Sequence, residues 1–377
     1  MFAGEPRAID CTAGDPDAAL AELPNTTAVF LLWPRDGEPY LARTTMLRRR
    51  LKRLLRAPGS SKLLNLRAIT TRVEYWLAGS RLEMSLVSYD LARRFLPERY
   101  LEYLKLRMPP YVRLILGNEY PRTQVTAKLS GGPGLWYGPF RTRAAAEEFE
   151  HGFLDLFQLR RCPEDLQPSP DHPGCMYGEM NMCLRPCQQV VGPEEYSSEV
   201  ARVSDFLSSN GRHLLEAAEH ARDRFSAEME FEQAAQQHKR IDRIQQVLRL
   251  RDEVATDIDA LHGVAVLPSV EADTVRLQFL LHGAWQPPVV FPAGPNVRAG
   301  TSLDHRLRDV VAELVPFHPS PRERQEHLAL FARWYFSSWR DGVWLPFSSR
   351  EQAPWRRLVA AVSRTAAALN VSSPTEL

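Results

Sequence analysis

The sequence predicts an α+β chain of several domains, and three observations carry that reading. Short apolar runs of strand length share the first 150 or so residues with amphipathic helical stretches. Residues 163–192 are rich in Pro, Gly and Cys and have little periodicity. From Pro193 to about Arg251 the chain is strongly helical, and beyond 256 the two-residue alternation of strands returns. A length of 377 residues and an apolar fraction of 44% allow real cores, distributed over roughly two to four domains.

Charge and targeting signals narrow the classes. Forty-seven Lys and Arg against 46 Asp and Glu leave a net +1, so only local clustering can argue for a polyanionic partner. No apolar run of about eighteen residues is present, so no membrane span is expected. The opening MFAGEPRAIDCTAGDPD carries acids and prolines in place of an apolar signal core, which predicts a cytoplasmic protein.

Taken in order, residues 1–25 are polar and Pro/Asp-rich and read as a loose N-terminal arm. Within 26–110, residues 27–33 (TAVFLLW) make a strand, Asp36-Gly37 a hairpin signal, and 38–42 a second strand. Residues 46–56 (MLRRRLKRLLR) form a helix with Leu47, Leu51, Leu54 and Leu55 on one face. Residues 66–78 read as a strand and 80–96 as a helix. In 111–192, strands at 111–116 and 123–129 precede a compact aromatic stretch at 136–140. A helix marked by Phe149, Phe153, Leu156 and Phe157 then leads into the Cys-rich loop. Residues 193–255 are a helical domain opened by Gly192-Pro193 and broken at Asn210-Gly211. Residues 256–377 read as an α/β segment, with strands around Val264–Val266, Val275–Phe279 and Val289–Phe291 and helices around 303–314 and 321–337.

Two constellations carry chemistry. Cys162, Cys175, Cys183 and Cys187 have twelve, seven and three residues between them, while the fifth cysteine, Cys11, stands alone. Four thiolates can complete a tetrahedral zinc site or ligate a cubane iron–sulfur cluster. The surrounding loop is too Pro-rich to build a core of its own, so a metal would supply its cross-links. Structural zinc sites favour two close pairs. Only the last pair is close here, which favours a cluster and leaves zinc as the alternative. The second constellation is Arg48, Arg49, Lys52, Arg53 and Arg56, five cations with no acid between them. A solvated helix face is the usual explanation of such a run; the absence of acids points instead to phosphate contact and DNA binding.

From Leu159 to Tyr196 (LRRCPEDLQPSPDHPGCMYGEMNMCLRPCQQVVGPEEY) the chain resembles the cysteine segment of the bacterial excinuclease family UvrC. The resemblance runs back through Tyr137-Gly138-Pro139-Phe140, Tyr120-Pro121-Arg122 and Val125-Thr126. It runs forward into Met229–Ile241 (MEFEQAAQQHKRI), which is similar to the family's UVR motif. It implies a [4Fe-4S] cluster on the four cysteines. For 26–110 it implies a GIY-YIG nuclease-like module, with Tyr40, Arg43 and Arg50 in residual catalytic positions and Mg²⁺ or Mn²⁺ only if the nuclease is active.

That module departs from the family pattern. Phe30 in Ala28-Val29-Phe30 stands where a tyrosine is expected, Tyr40-Leu41-Ala42 replaces Tyr-Ile/Val-Gly, and Leu54 stands for a second-helix tyrosine. Ser88 stands for the metal-holding glutamate, with Glu83 and Asp90 as nearby acids. Phe30 has no hydroxyl for proton transfer, and a serine is a poor sole ligand for a hard cation.

The resemblance further implies that the UVR-like hairpin pairs with a UvrB-like protein through Phe231, Ala234, Ala235 and Ile241. Gln237, His238 and Lys239 depart from the usual motif. Residues 256–377 resemble the α/β segment that follows the UVR motif, and no RNase H-like start is recognised. The expectation is therefore an accessory, DNA-binding component of nucleotide-excision repair with impaired nuclease. Its alternatives are an active single-incision endonuclease and a metal-binding UVR-motif stress adaptor; the latter class uses close Cys-x-x-Cys pairs that this chain lacks.

Overall fold

The computed structural model describes residues 1–12, 16–56, 66–129, 132–294 and 301–371. The chain forms two compact units. One holds 1–107, 262–318 and 333–377; the other holds 108–261 and 319–332.

The first stretch builds β1 (Arg7–Asp10), α1 (Pro16–Glu22), β2 (Ala28–Pro34), β3 (Tyr40–Thr44), α2 (Leu47–Leu54), α3 (Leu66–Ile69), β4 (Thr70–Leu77), α4 (Arg81–Phe95) and α5 (Tyr100–Leu104). The sheet order is β1-β4-β2-β3, all pairs antiparallel. β2 lies inside the sheet with Ala28 to Leu32 buried, which is why its sequence is a continuous apolar run without alternation. Gly37 takes φ +98° in the β2–β3 connection, a conformation that favours glycine. α2 buries Leu47, Leu51 and Leu55 in a core with Leu20, Leu23, Phe30 and Val73. Ser80 caps α4 by accepting from the Glu83 N–H at 3.0 Å.

Two expectations are corrected here. The N-terminal 25 residues do not form a loose arm. Ile9 pairs with Val73 across β1 and β4, and Phe2, Leu20 and Leu23 are buried; residues 13–15 lie outside the described residues. The strand read over 66–78 begins with the short helix α3, where the Thr70 hydroxyl donates to the Leu66 carbonyl at 2.7 Å.

The second unit contains β5 (Tyr111–Ile115), β6 (Arg122–Thr126), β7 (Gly134–Gly138), α6 (Arg143–Leu154), α7 (Met176–Glu179), α8 (Pro193–Ser208), α9 (Arg212–Ala227), α10 (Phe231–Arg249) and β8 (Thr256–Asp257). Its sheet order is β6-β5-β7-β8. The compact aromatic stretch is thus strand β7, paired with β5. Tyr137 stacks on Phe149 at 5.2 Å, and contacts continue through Phe153 to Phe206. This aromatic column joins the sheet to α6 and α8 and ties down the start and end of the Cys-rich loop.

The chain then forms β9 (His262–Pro268), β10 (Thr274–Leu281), β11 (Ala284–Trp285), β12 (Val289–Pro292), α11 (Leu303–Glu313), α12 (Pro321–Tyr335), β13 (Val343–Phe347) and α13 (Trp355–Val371). The β11-β10-β9-β13 sheet, with β12 also on β10, packs its apolar face on α11 and α13 through Val264, Leu277, Phe279, Leu307 and Val362. Among the described residues no helix is long and apolar enough to cross a membrane.

Candidate nucleic-acid face and cysteine segment

The nuclease-like positions lie on β2, β3, α2 and α4. Phe30 is fully buried, with its ring 6.5 Å from that of Tyr40. Tyr40 opens β3 and is 43% exposed, and Arg43 on the same strand is exposed. Tyr40 is thus a surface group available to a ligand.

On α2 the apolar face is consumed by the core, which forces the cations outward. Arg48, Arg49, Lys52, Arg53 and Arg56 are exposed and Arg50 is half-buried. Arg48 reaches the Ala21 carbonyl at 3.3 Å, and the Arg49 backbone N–H donates to the Asn25 side chain at 3.1 Å. Among the described residues, none of the six cations pairs with a carboxylate. The Arg50 Nε is buried and has no hydrogen-bond partner among the described residues, and the exposed cations of this helix present positive charge that no described carboxylate pairs.

The acids that could serve a divalent cation are committed elsewhere. The Ser88 hydroxyl is buried and donates to the Met84 carbonyl at 2.7 Å, within its own helix. Glu83 is buried, pairs with Arg276 at 2.6 Å and accepts from the Gly79 N–H at 2.8 Å. Burial pushes the Glu83 carboxyl up, and the Arg276 guanidinium pulls it back. Asp90 accepts from the backbone N–H groups of Phe2 and Ala3, the latter at 3.0 Å. Neither acid pairs with Tyr40, Arg43 or Arg50.

The cysteine segment is organised by Arg160, which is 2% exposed. Its Nε donates to the Tyr120 carbonyl at 2.8 Å, and one terminal nitrogen donates to the Cys162 and Glu164 carbonyls at 3.1 and 2.8 Å. The same nitrogen lies 3.5 Å from the Cys162 Sγ. Tyr196, on α8, accepts from the Arg160 backbone N–H and donates to the Pro121 carbonyl. Downstream, Gly174 takes φ +76°, and a Cβ there would meet the Gln188 amide at 2.8 Å.

The four thiols come from this loop, from the residue capping α7 and from a short 3₁₀ turn at 186–188. Cys183 and Cys187 are buried, Cys162 is half-buried and Cys175 is exposed. Burial, opposed by the Arg185 N–H and helped by nearby Cys162, Cys175 and Cys187, raises the Cys183 thiol to about 11, so the other three cysteines lie within electrostatic reach of it. The Arg185 N–H donates to the Cys183 Sγ at 3.4 Å. Four soft sulfur donors, two of them already receiving N–H contacts, fit the chemistry of zinc or an iron–sulfur cluster. Among the described residues, however, no three His, Cys, Asp or Glu side chains form a group set to hold a metal ion.

The UVR-like stretch divides its residues between two roles. Phe231 is 67% exposed, Ala235 is exposed and Ala234 half-buried. Ile241 is 3% exposed and sits in the seam between α9 and α10 with Ala218 and Ile244. Ile241 therefore does not belong to an exposed partner face, because the hairpin's own packing consumes it. Met229, 75% exposed in the α9–α10 turn, carries no sequence signal that singles it out and lies beside Phe231 along the chain.

The sequence is similar to known proteins over part of its length. The family model described as the UvrC/Cho excinuclease middle domain matches residues 110–206, a stretch that includes all four clustered cysteines. The UvrABC system protein C of Lachnospira eligens is 23% identical over 269 residues, covering 70% of this chain and 44% of that relative. The protein of the same name from Rickettsia akari is 26% identical over 296 residues, covering 78% and 44%. That from Rickettsia africae is 25% identical over 223 residues, covering 59% and 35%. The chain thus spans 35–44% of the length of these relatives. No solved structure matches.

Proposed function

We propose, from the premise that this chain belongs to the UvrC family, that it serves nucleotide-excision DNA repair as a DNA-binding component whose nuclease-like face does not cut. The observation that carries this reading is the contrast on that face between unpaired cations and committed acids. Arg48, Arg49, Lys52, Arg53 and Arg56 are exposed, have no carboxylate partner among the described residues, and would neutralise DNA phosphates. Tyr40 has a surface hydroxyl, but Phe30 has none and Ser88 spends its own on a helix carbonyl. Among the described residues no carboxylate pairs with Tyr40 or Arg50, which supports a module without the anionic oxygens a hard cation needs.

The four cysteines would hold a [4Fe-4S] cluster, with zinc as the alternative, and the bound group would cross-link a loop that has no core of its own. Arg160 and Tyr196 position the first cysteine for that role. The hairpin of α9 and α10 would dock a UvrB-like partner through exposed Phe231 and Ala235 and half-buried Ala234.

The test is a paired assay on damaged duplex DNA with Mg²⁺ or Mn²⁺. The expected result is a mobility shift without nicking. Nicking that disappears in Arg50→Ala would replace this reading with the single-incision endonuclease. Metal and sulfide content of anaerobically purified protein decides between cluster and zinc.

A further inference from the structure

A cleft lies beside the nuclease-like face, sharing Tyr40 with it and extending to residues of the α4–α5 connection that the reading of that face does not use. It encloses about 570 Å³ between the start of β3 and the α4–α5 connection, and its walls include Tyr40, Leu41, Leu96, Tyr103, Glu102 and Lys105. A volume of this order accommodates a nucleotide-sized ligand. Tyr40 and Tyr103 both line it and are 43% and 38% exposed. The Tyr103 hydroxyl donates to the Leu41 carbonyl at 2.8 Å, which fixes its ring against the strand.

Lys105 belongs to the cleft wall, and further cations stand near it outside that wall. Arg333 donates to the Leu104 carbonyl at 2.9 Å, so its guanidinium sits at the residue between Tyr103 and Lys105. Burial depresses the Arg333 guanidinium most, and Arg43 and Arg107 are close enough to depress it further. Among the described residues, none of Arg43, Lys105, Arg107 and Arg333 pairs with a carboxylate. The acids at the rim are Glu38, already paired with Arg99, and Glu102. Like charges brought together without a counter-charge repel one another, so the cluster is stabilised by any anion that binds it.

We infer that this cleft takes an unpaired nucleotide of single-stranded nucleic acid, with its base between Tyr40 and Tyr103 and its phosphates on Arg43, Lys105, Arg107 and Arg333. A base inside a duplex offers no free face to a tyrosine, whereas an unstacked base does. Glu102 can accept from an exocyclic amine at the rim. The inference rests on the reading of this unit as DNA-binding and sharpens it: the preferred substrate has single-stranded character.

The experiment is fluorescence anisotropy of the full chain on a labelled single strand and on a duplex of equal length, across a salt series. Arg107 is exposed, so Arg107→Glu leaves the fold intact. Arg107→Glu and Arg333→Ala are each expected to weaken single-strand binding about tenfold, to lower its salt slope by about 0.7 per cation lost, and to spare the duplex. Arg333→Lys keeps the charge and restores most of the affinity. Quenching of a fluorescent base analogue on binding is expected to survive Tyr103→Phe and to fall in Tyr103→Leu. Equal weakening of strand and duplex, or no weakening of either, overturns the inference. Arg53→Glu with Arg56→Glu separates the two readings: if that pair leaves duplex binding unchanged, the α2 reading fails while the cleft stands or falls on its own variants.

Discussion

Arg160 and the exposed arginines of α2 show two opposite uses of the same side chain. Arg160 is buried, and its donors are spent on the carbonyls of Tyr120, Cys162 and Glu164 and on the Cys162 sulfur. Arg276 is likewise held inside the chain, by Glu83 and the Phe2 carbonyl, although its Nε, like that of Arg50, is buried without a hydrogen-bond partner among the described residues. The neighbours of Arg50 on α2 face solvent and, among the described residues, pair with no acid. A cation paired with an acid or with carbonyls inside the chain builds structure, while an exposed cation with no carboxylate partner among the described residues can meet an anion outside. The cysteine segment follows the first pattern and the α2 face the second.

The strongest attack on this contrast is Arg276→Met. It leaves Glu83 buried without its counter-charge and is expected to cost about 3–5 kcal/mol, read as a fall in urea midpoint. A loss below about 1 kcal/mol would move Arg276 out of the structural class. Next in size is the pair Ile241→Ala and Phe231→Ala. Ile241 fills the α9–α10 seam, so its truncation should cost about 2–4 kcal/mol. Phe231, largely exposed, should change stability by less than about 0.5 kcal/mol while weakening any partner docking.

Arg160→Lys tests the cysteine segment. A lysine cannot reproduce the forked contacts, so the protein should keep its fold but carry less metal and sulfide per chain than the parent. Undiminished loading would separate Arg160 from the cysteine chemistry. The smallest effect on stability belongs to Arg53→Glu with Arg56→Glu, expected within about 0.5 kcal/mol of the parent. The same double variant should lose most duplex affinity at low salt and flatten the salt dependence. Stability loss without loss of affinity would turn α2 into an ordinary solvated face.

Much of the local structure is legible in the sequence. TAVFLLW forms the buried strand β2, and the leucines of MLRRRLKRLLR form the core face of α2, leaving the cations outside. The four cysteines announce themselves by clustering in a loop too Pro-rich to pack. The strand β1 escapes because four residues, RAID, have no periodic signal; β4 alone defines them as a strand. β7 escapes because Gly134 and Gly138 bracket its aromatic residues and mimic a turn. Lys105, Arg107 and Arg333 are invisible as a group, since they are scattered and each alone reads as a surface charge.

Sequence alone therefore determined most of the helices and strands and that four thiols share one loop, which follow from side-chain type and short-range spacing; that Phe30 and Ser88 stand at nuclease-like positions is what the family resemblance implies. Tertiary structure decided which polar groups are already spent. Glu83 meets Arg276 across 193 positions and Asp90 meets the backbone of Phe2 across 88, pairings that no local pattern encodes. It also decided that Ile241 belongs to the hairpin and Phe231 to solvent, because burial depends on what packs opposite a residue as well as on the residue itself.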